Sequence, residues 1–206
     1  MPSSQTRTRQ AGATGWFDYH VHLCRALTYN DIYFRHDHGL AAYDFADLLT
    51  KQSVTGVLHN GLAYTENSLR QRMERVIKAK IRAGEIGMNA IVDCSPDVGA
   101  KAFRVALALR DKYAKEGFEI NVLVYPIFGL KYWGSDRQRL IEHLVGDGQG
   151  LVALPERDAR PSHQEVGFDG HLHFMIDLAV RYQRPLQVHV DQTNTPNEDG
   201  TERLIN

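Results

Sequence analysis

A chain of 206 residues can enclose one well-buried core and is short for two domains. Its 43% hydrophobic and 24% charged content matches an ordinary soluble globular protein, and a net charge of −1 without a basic block argues against nucleic-acid or anionic-membrane binding. No apolar run approaches the roughly 20 residues that span a bilayer, and two cysteines without scaffold spacing, Cys24 and Cys94, point to a reduced, cytoplasmic setting.

Residues 1–14 are rich in Ser, Thr, Gln and Arg and read as a disordered tail; residues 15–206 form one domain. The first expected strand runs from Gly15 to His22. A long connection follows, carrying Arg35-His36-Asp37-His38-Gly39 and an apolar stretch from Tyr43 to Leu49. His36 and His38 there read as solvated loop residues or as parts of a lid over substrate. Thr65 is placed to cap a helix whose apolar stripe is Leu69, Met73, Val76 and Ile77 and whose end lies near Gly84. The second strand is Asn89–Asp93. A helix over Gly99 to Tyr113 follows, with Gly117 just beyond it, and then a third strand over Ile120–Tyr125. A short helix over Arg137–Val145, a fourth strand over Gly150–Leu154 and a helix over Phe168–Tyr182 lead into the strand that ends at His189.

Repeated strand–helix units imply an α/β protein with a parallel sheet and helical crossovers. No glycine-rich phosphate loop follows any strand, as an open nucleotide-binding sheet would commonly show. Polar residues instead follow the strands at their C-terminal ends: His20 and His22, Asp93, Glu156 and Asp158, then His189. That is where (β/α) barrels keep their chemistry, so the expected fold is a TIM-type barrel of which the first five βα units are present.

Asp18-Tyr19-His20-Val21-His22 is the most informative segment. Alternate side chains of a strand share a face, so Asp18, His20 and His22 project together, as do Gln187, His189 and Asp191 later. Three imidazoles form an incomplete first shell for zinc or iron. Read blandly, a His-x-His pair is two polar residues near a strand end. His171-Leu172-His173 is a second such pair, but inside a helix i and i+2 point some 200° apart, so these are packing or helix-surface residues. Cys24 reads as a small buried residue or a soft ligand, and Asp18 as a loop-holding residue.

Phe17-Asp18-Tyr19-His20-Val21-His22-Leu23 and Val188-His189-Val190-Asp191-Gln192, with Val92-Asp93, Val124-Tyr125-Pro126 and Leu154-Pro155 in order between them, resemble the metal-dependent amidohydrolase superfamily, in its cytosine-deaminase-like branch. The resemblance runs from Gly15 to the C-terminus. It implies one divalent metal ion, zinc or iron, held by His20, His22 and His189, and no lysine on the fourth strand to suggest a second ion. It implies metal-activated water as nucleophile on a small-molecule cyclic amide, amidine or amino-heterocycle, that is, hydrolysis of a non-peptide C–N bond. Gln192 and Asp191 are then the candidate catalytic residues, and Gln192, Asp93 and Glu156 the substrate-binding ones. Asp191 reads equally as orienting His189 or binding substrate and as a solvated loop carboxylate, and Asp93 as contacting a ligand histidine or capping the turn before Pro96.

The sequence departs from the family pattern at three points. Gln192 stands where deaminases of this branch carry glutamate, and an amide cannot shuttle a proton. Ile127 replaces an amide after the third strand. The family's histidine after strand six and aspartate after strand eight lie past Asn206. Cytosine itself is therefore not the expected substrate, and the chain is expected to be part of a longer protein or to require partner subunits, as in a homo-oligomer. The alternative function is a catalytically silent metal- or ligand-binding fragment or assembly half.

Overall fold

The structure is a computed structural model, and it describes residues 15–29, 32–33, 48–192 and 196–205. The expected tail and the His36/His38 loop lie outside them. Five strands, β1 (Trp16–His22), β2 (Glu85–Asp93), β3 (Glu119–Tyr125), β4 (Gly150–Ala153) and β5 (Leu186–Val188), form one sheet in the order β1-β2-β3-β4-β5. All four pairings are parallel. A doubly wound sheet would reverse its strand order partway; this one never does, as a barrel requires. The sheet curls into a half-barrel, bringing the ends of β1 and β5 within side-chain reach across its concave side.

Six helices accompany the strands: α1 (Leu48–Asn60), α2 (Glu66–Arg82), α3 (Lys101–Ala114), α4 (Asp136–Leu144), α5 (Gly167–Tyr182) and α6 (Gly200–Ile205). Thr65 caps α2 as its sequence suggests, its hydroxyl accepting the Ser68 N–H at 3.3 Å. Gly84, at φ +82°, follows the end of that helix. The apolar stripe of α2 includes one residue that periodicity did not mark: Arg72 is buried and donates to the carbonyls of Cys24, Ala26 and Ala63. It ties the chain leaving β1 to the helix layer. α1 was legible only as an apolar stretch ending at Leu49; the helix begins at Leu48 and runs eleven residues past that stretch. No helix among the described residues is long and apolar enough to cross a membrane.

Strand alternation divides the core in two. Met88, Ala90 and Val92 of β2, Ile120, Val122 and Val124 of β3, and Leu151 and Ala153 of β4 join the helices in the larger cluster. Ile91, Leu123, Tyr125 and Val152 face the other way and build the smaller cluster inside the curl. Val21, Leu186 and Val188 pack against the helix-side cluster. By the same alternation His22 on β1 and Gln187 on β5 turn inward, and His189, which continues the β5 pattern through its N–H to the Ala153 carbonyl, does so too. The site is thus a consequence of register.

Candidate metal site at the strand ends

His20, His22 and His189 each offer a ring nitrogen, and these nitrogens all lie within 4.8 Å of one another. Ring centroids are separated by 5.1 Å for His20–His22, 4.9 Å for His20–His189 and 5.3 Å for His22–His189. A register irregularity between Asp18 and Val21 accompanies the arrival of both β1 imidazoles at one point. His20 is exposed, His22 half-buried and His189 buried.

His189 is held from behind: its Nδ1 meets the Tyr125 hydroxyl at 3.3 Å. Its Nε2 is buried and has no hydrogen-bond partner. A buried polar atom left in that state costs free energy unless a ligand takes it up. Burial, with His20 and Arg25 nearby, pushes the His189 pKa down to about 4. Burial and the Arg25 guanidinium push His22 down to about 2. Both rings are therefore neutral at physiological pH, the form in which imidazole binds a metal. Donor type, convergence and the orphaned nitrogen all fit one divalent cation. One contact must open for His22 to act as a ligand: the Arg25 guanidinium, a donor only, presses on its Nδ1, and a neutral ring that accepts there carries its hydrogen on Nε2.

Behind the imidazoles lies a buried polar group that the sequence did not announce. Asp93 is fully buried; its Oδ2 receives the Tyr64 hydroxyl at 2.5 Å and lies 3.3 Å from His59 Nε2 and 3.4 Å from Arg25 Nε. Burial alone would raise its pKa, but Arg25 and the His59 hydrogen bond hold it well below the usual carboxylate range. His59 in turn faces Asp97 through Nδ1 at 2.7 Å. Asp93, expected to contact substrate or a ligand histidine or to cap a turn, is buried and engages Arg25, Tyr64 and His59. Cys24 is buried and accepts the Asp93 N–H at 3.3 Å through Sγ, with burial pushing its thiol up to about 12, so it sits there as an inert small residue.

The other expected site residues hold loops. Glu156 accepts the N–H groups of Asp191 and Gln192, the latter at 3.0 Å. Asp191, at φ +57°, accepts the Gly200 and Thr201 N–H groups at the start of α6 at 2.8 and 3.1 Å. Asp18 pairs with Lys80 at 2.6 Å and accepts the His20 N–H at 3.0 Å, holding the strand that carries the histidines. Gln192 follows directly in the loop after His189, with its main chain on Glu156. Of the second His-x-His pair, His171 is buried against Asp158 and His173 is exposed, so the helix does separate them. His59, Tyr64 and Arg25 carried no sequence signal, because α1 was not expected and the partners come from four separate segments.

No family profile and no curated protein matches the chain. Solved structures do. With 5-methylcytosine deaminase from Klebsiella pneumoniae liganded with 5-fluorocytosine, the TM-score is 0.75 at 19% identity, over 98% of this chain and 47% of that one. With the same deaminase liganded with phosphonocytosine it is 0.73 at 19% identity, over 92% and 42%. With N-isopropylammelide isopropylaminohydrolase from Burkholderia multivorans ATCC 17616 it is 0.58 at 19% identity, over 85% and 40%. The chain spans less than half the length of each. Over that span it shares the fold of these solved structures, five parallel strands curled as part of a TIM-type barrel.

Proposed function

We propose that this chain carries the metal-binding half of a hydrolase of non-peptide C–N bonds, acting on a cyclic amide, an amidine or an amino-substituted heterocycle. The observation that carries the reading is the convergence of His20, His22 and His189, with a buried, unpartnered Nε2 on the last. Among the solved structures of like fold are a deaminase and an aminohydrolase, which supports the same reaction class.

His20, His22 and His189 would hold one zinc or iron ion. Such an ion, when bound, supplies Lewis acidity that makes water a competent nucleophile near neutral pH. The chain's own residues keep the donors usable. The curled sheet fixes the approach of β1 to β5, burial keeps His22 and His189 neutral, and Tyr125 supports His189 from behind. Gln192, on a loop whose backbone is pinned by Glu156, would hydrogen-bond a substrate amide or ring nitrogen, accepting through its carbonyl or donating through its NH2. Asp191 is engaged at the start of α6 and would act by shaping that loop.

Metal analysis of purified protein tests the reading. About one zinc or iron per chain is expected, together with its loss in His20→Ala/His22→Ala of unchanged circular dichroism. Retained stoichiometry in that double variant, or no uptake by the wild type, would falsify the assignment. With metal established, ammonia or amine release from cyclic amides and amino-heterocycles tests the reaction class.

A further inference from the structure

The inner face of β5 carries a second residue whose side chain crosses the curl. Gln187 donates through Nε2 to the Tyr19 carbonyl at 2.8 Å, and its Oε1 lies 3.1 Å from His20 Nδ1. The two contacts leave one arrangement of protons. A backbone carbonyl only accepts, so the amide nitrogen must face Tyr19 and the amide oxygen must face His20. An amide oxygen also only accepts, so His20 Nδ1 must carry the hydrogen. Neutral His20 then holds its lone pair on Nε2.

We infer that Gln187 is a positioning residue for the metal: it locks His20 as the Nδ1–H tautomer and leaves Nε2 as the donor atom. The inference rests on the metal reading above and goes beyond it by assigning the group that fixes one ligand. A hydrogen bond to the far nitrogen of a ligating imidazole sets its tautomer, its ring orientation and its basicity. The same amide does a second thing that a simple acceptor would not. It also joins β1 to β5, which are not neighbours in the sheet, and so adds a direct link across the curl to the spacing that the sheet sets between His20 and His189. The two imidazole centroids stand 4.9 Å apart across that link.

Nitrogen-15 spectra of the imidazole rings of metal-free protein read the tautomer directly, with the His20 signals identified by their loss in His20→Gln. The wild type should show His20 protonated on Nδ1. Gln187→Leu should release it toward the Nε2–H form and weaken zinc binding roughly 10- to 100-fold. Gln187→Glu keeps an acceptor toward Nδ1 and should restore the tautomer and most of the affinity, which a merely structural role for the amide would not do. An Nε2–H His20 in the wild type, or zinc uptake by the wild type with tautomer and affinity unchanged in Gln187→Leu, overturns the inference alone. Failure of the wild type to take up zinc at all overturns the metal reading and this inference with it.

Discussion

Two histidine clusters sit at the strand ends of this half-barrel, and they differ in what is left over. Around Asp158, His163 Nδ1 and His171 Nδ1 each lie 2.7 Å from a carboxylate oxygen, and the same carboxylate accepts the Leu130 and Lys131 N–H groups at 2.7 and 2.9 Å. His171 Nε2 accepts the Leu154 N–H at 3.1 Å, so both its nitrogens are used. At the other cluster His189 Nε2 is buried and unused, and three rings converge without a carboxylate among them. Histidines whose nitrogens are taken up by other protein groups hold a fold together; a buried ring nitrogen left without a partner is open to a ligand.

The sharpest way to break the comparison is to damage each cluster and ask what is lost. Asp158→Ala strands four donors at once, two of them backbone N–H groups, and should cost about 3–5 kcal/mol in urea unfolding. Zinc bound per folded molecule should not change. Asp158 also carries a pH signature. Burial alone would raise its pKa, but the hydrogen bonds from His171 and the two backbone amides hold it below the ordinary carboxylate value. A depressed carboxylate stabilises the fold fully above its unfolded pKa of about 3.9 and loses that contribution as pH falls through the lower folded value. Asp158→Asn should therefore flatten the stability profile on the acid side of about pH 5. An unchanged profile would show that Asp158 is not the group concerned.

Gly129→Ala attacks the same hub through the backbone. Gly129 stands at φ +70°, and a Cβ there would lie 2.5 Å from Asp158 Oδ1. Left-handed strain plus the clash predicts a loss of about 2–4 kcal/mol, read from the urea midpoint. A neutral result would mean that the loop after β3 shifts without disturbing Asp158.

The comparison also explains how much could be read from the chain. Strand alternation and helix stripes gave all five strands and the helices α2 to α5, because those depend on local periods of 2 and 3.6. The joint role of His20, His22 and His189 came from the family resemblance, and Asp18, expected to share a face with the first two, turns to Lys80 across a register irregularity in β1. The partnership of His59, Asp93, Arg25 and Tyr64 was not legible. It joins α1, β2 and the two short 3₁₀ turns Leu23–Arg25 and Leu62–Tyr64, and no local pattern states which buried polar group will meet which. Glu156 and Asp191 were legible as polar residues after strands but not as loop holders, since that role depends on where the chain returns at Gly200. Asp158 appeared as one more acidic residue after β4; its two histidine partners lie 5 and 13 positions away, on different turns.

Arg25 stands between His22 and Asp93, a fixed cation beside the candidate ligand rings. It presses on His22 Nδ1 while Asp93 holds it from the other side, and its side chain remains a quarter exposed. A divalent ion arriving at His22 meets that charge. Arg25→Met should raise zinc affinity roughly tenfold, about 1.4 kcal/mol, by competition with a metallochromic dye. A fall in affinity would instead mean that Arg25 organises His22 for the ion.

The smallest expected effect is also the one that separates the two clusters most cleanly. His189→Leu removes a buried nitrogen that has no partner and replaces it with apolar atoms against the ring of Tyr125. The gain is bounded, because a lone unsatisfied group costs about 1–3 kcal/mol and the variant also forfeits the contact with the Tyr125 hydroxyl. The metal-free variant should therefore be at least as stable as the metal-free wild type, by about 1 kcal/mol or less. Adding zinc reverses the order. At 100 times its Kd, zinc should stabilise the wild type by about 2.7 kcal/mol, while the variant, short of one donor, gains far less. His171→Leu is the matched control: with both nitrogens already engaged it should lose stability with or without zinc. If His189→Leu were as damaging as His171→Leu in the absence of metal, the imidazole of His189 would be part of the scaffold, and its unpartnered nitrogen would carry no meaning for function.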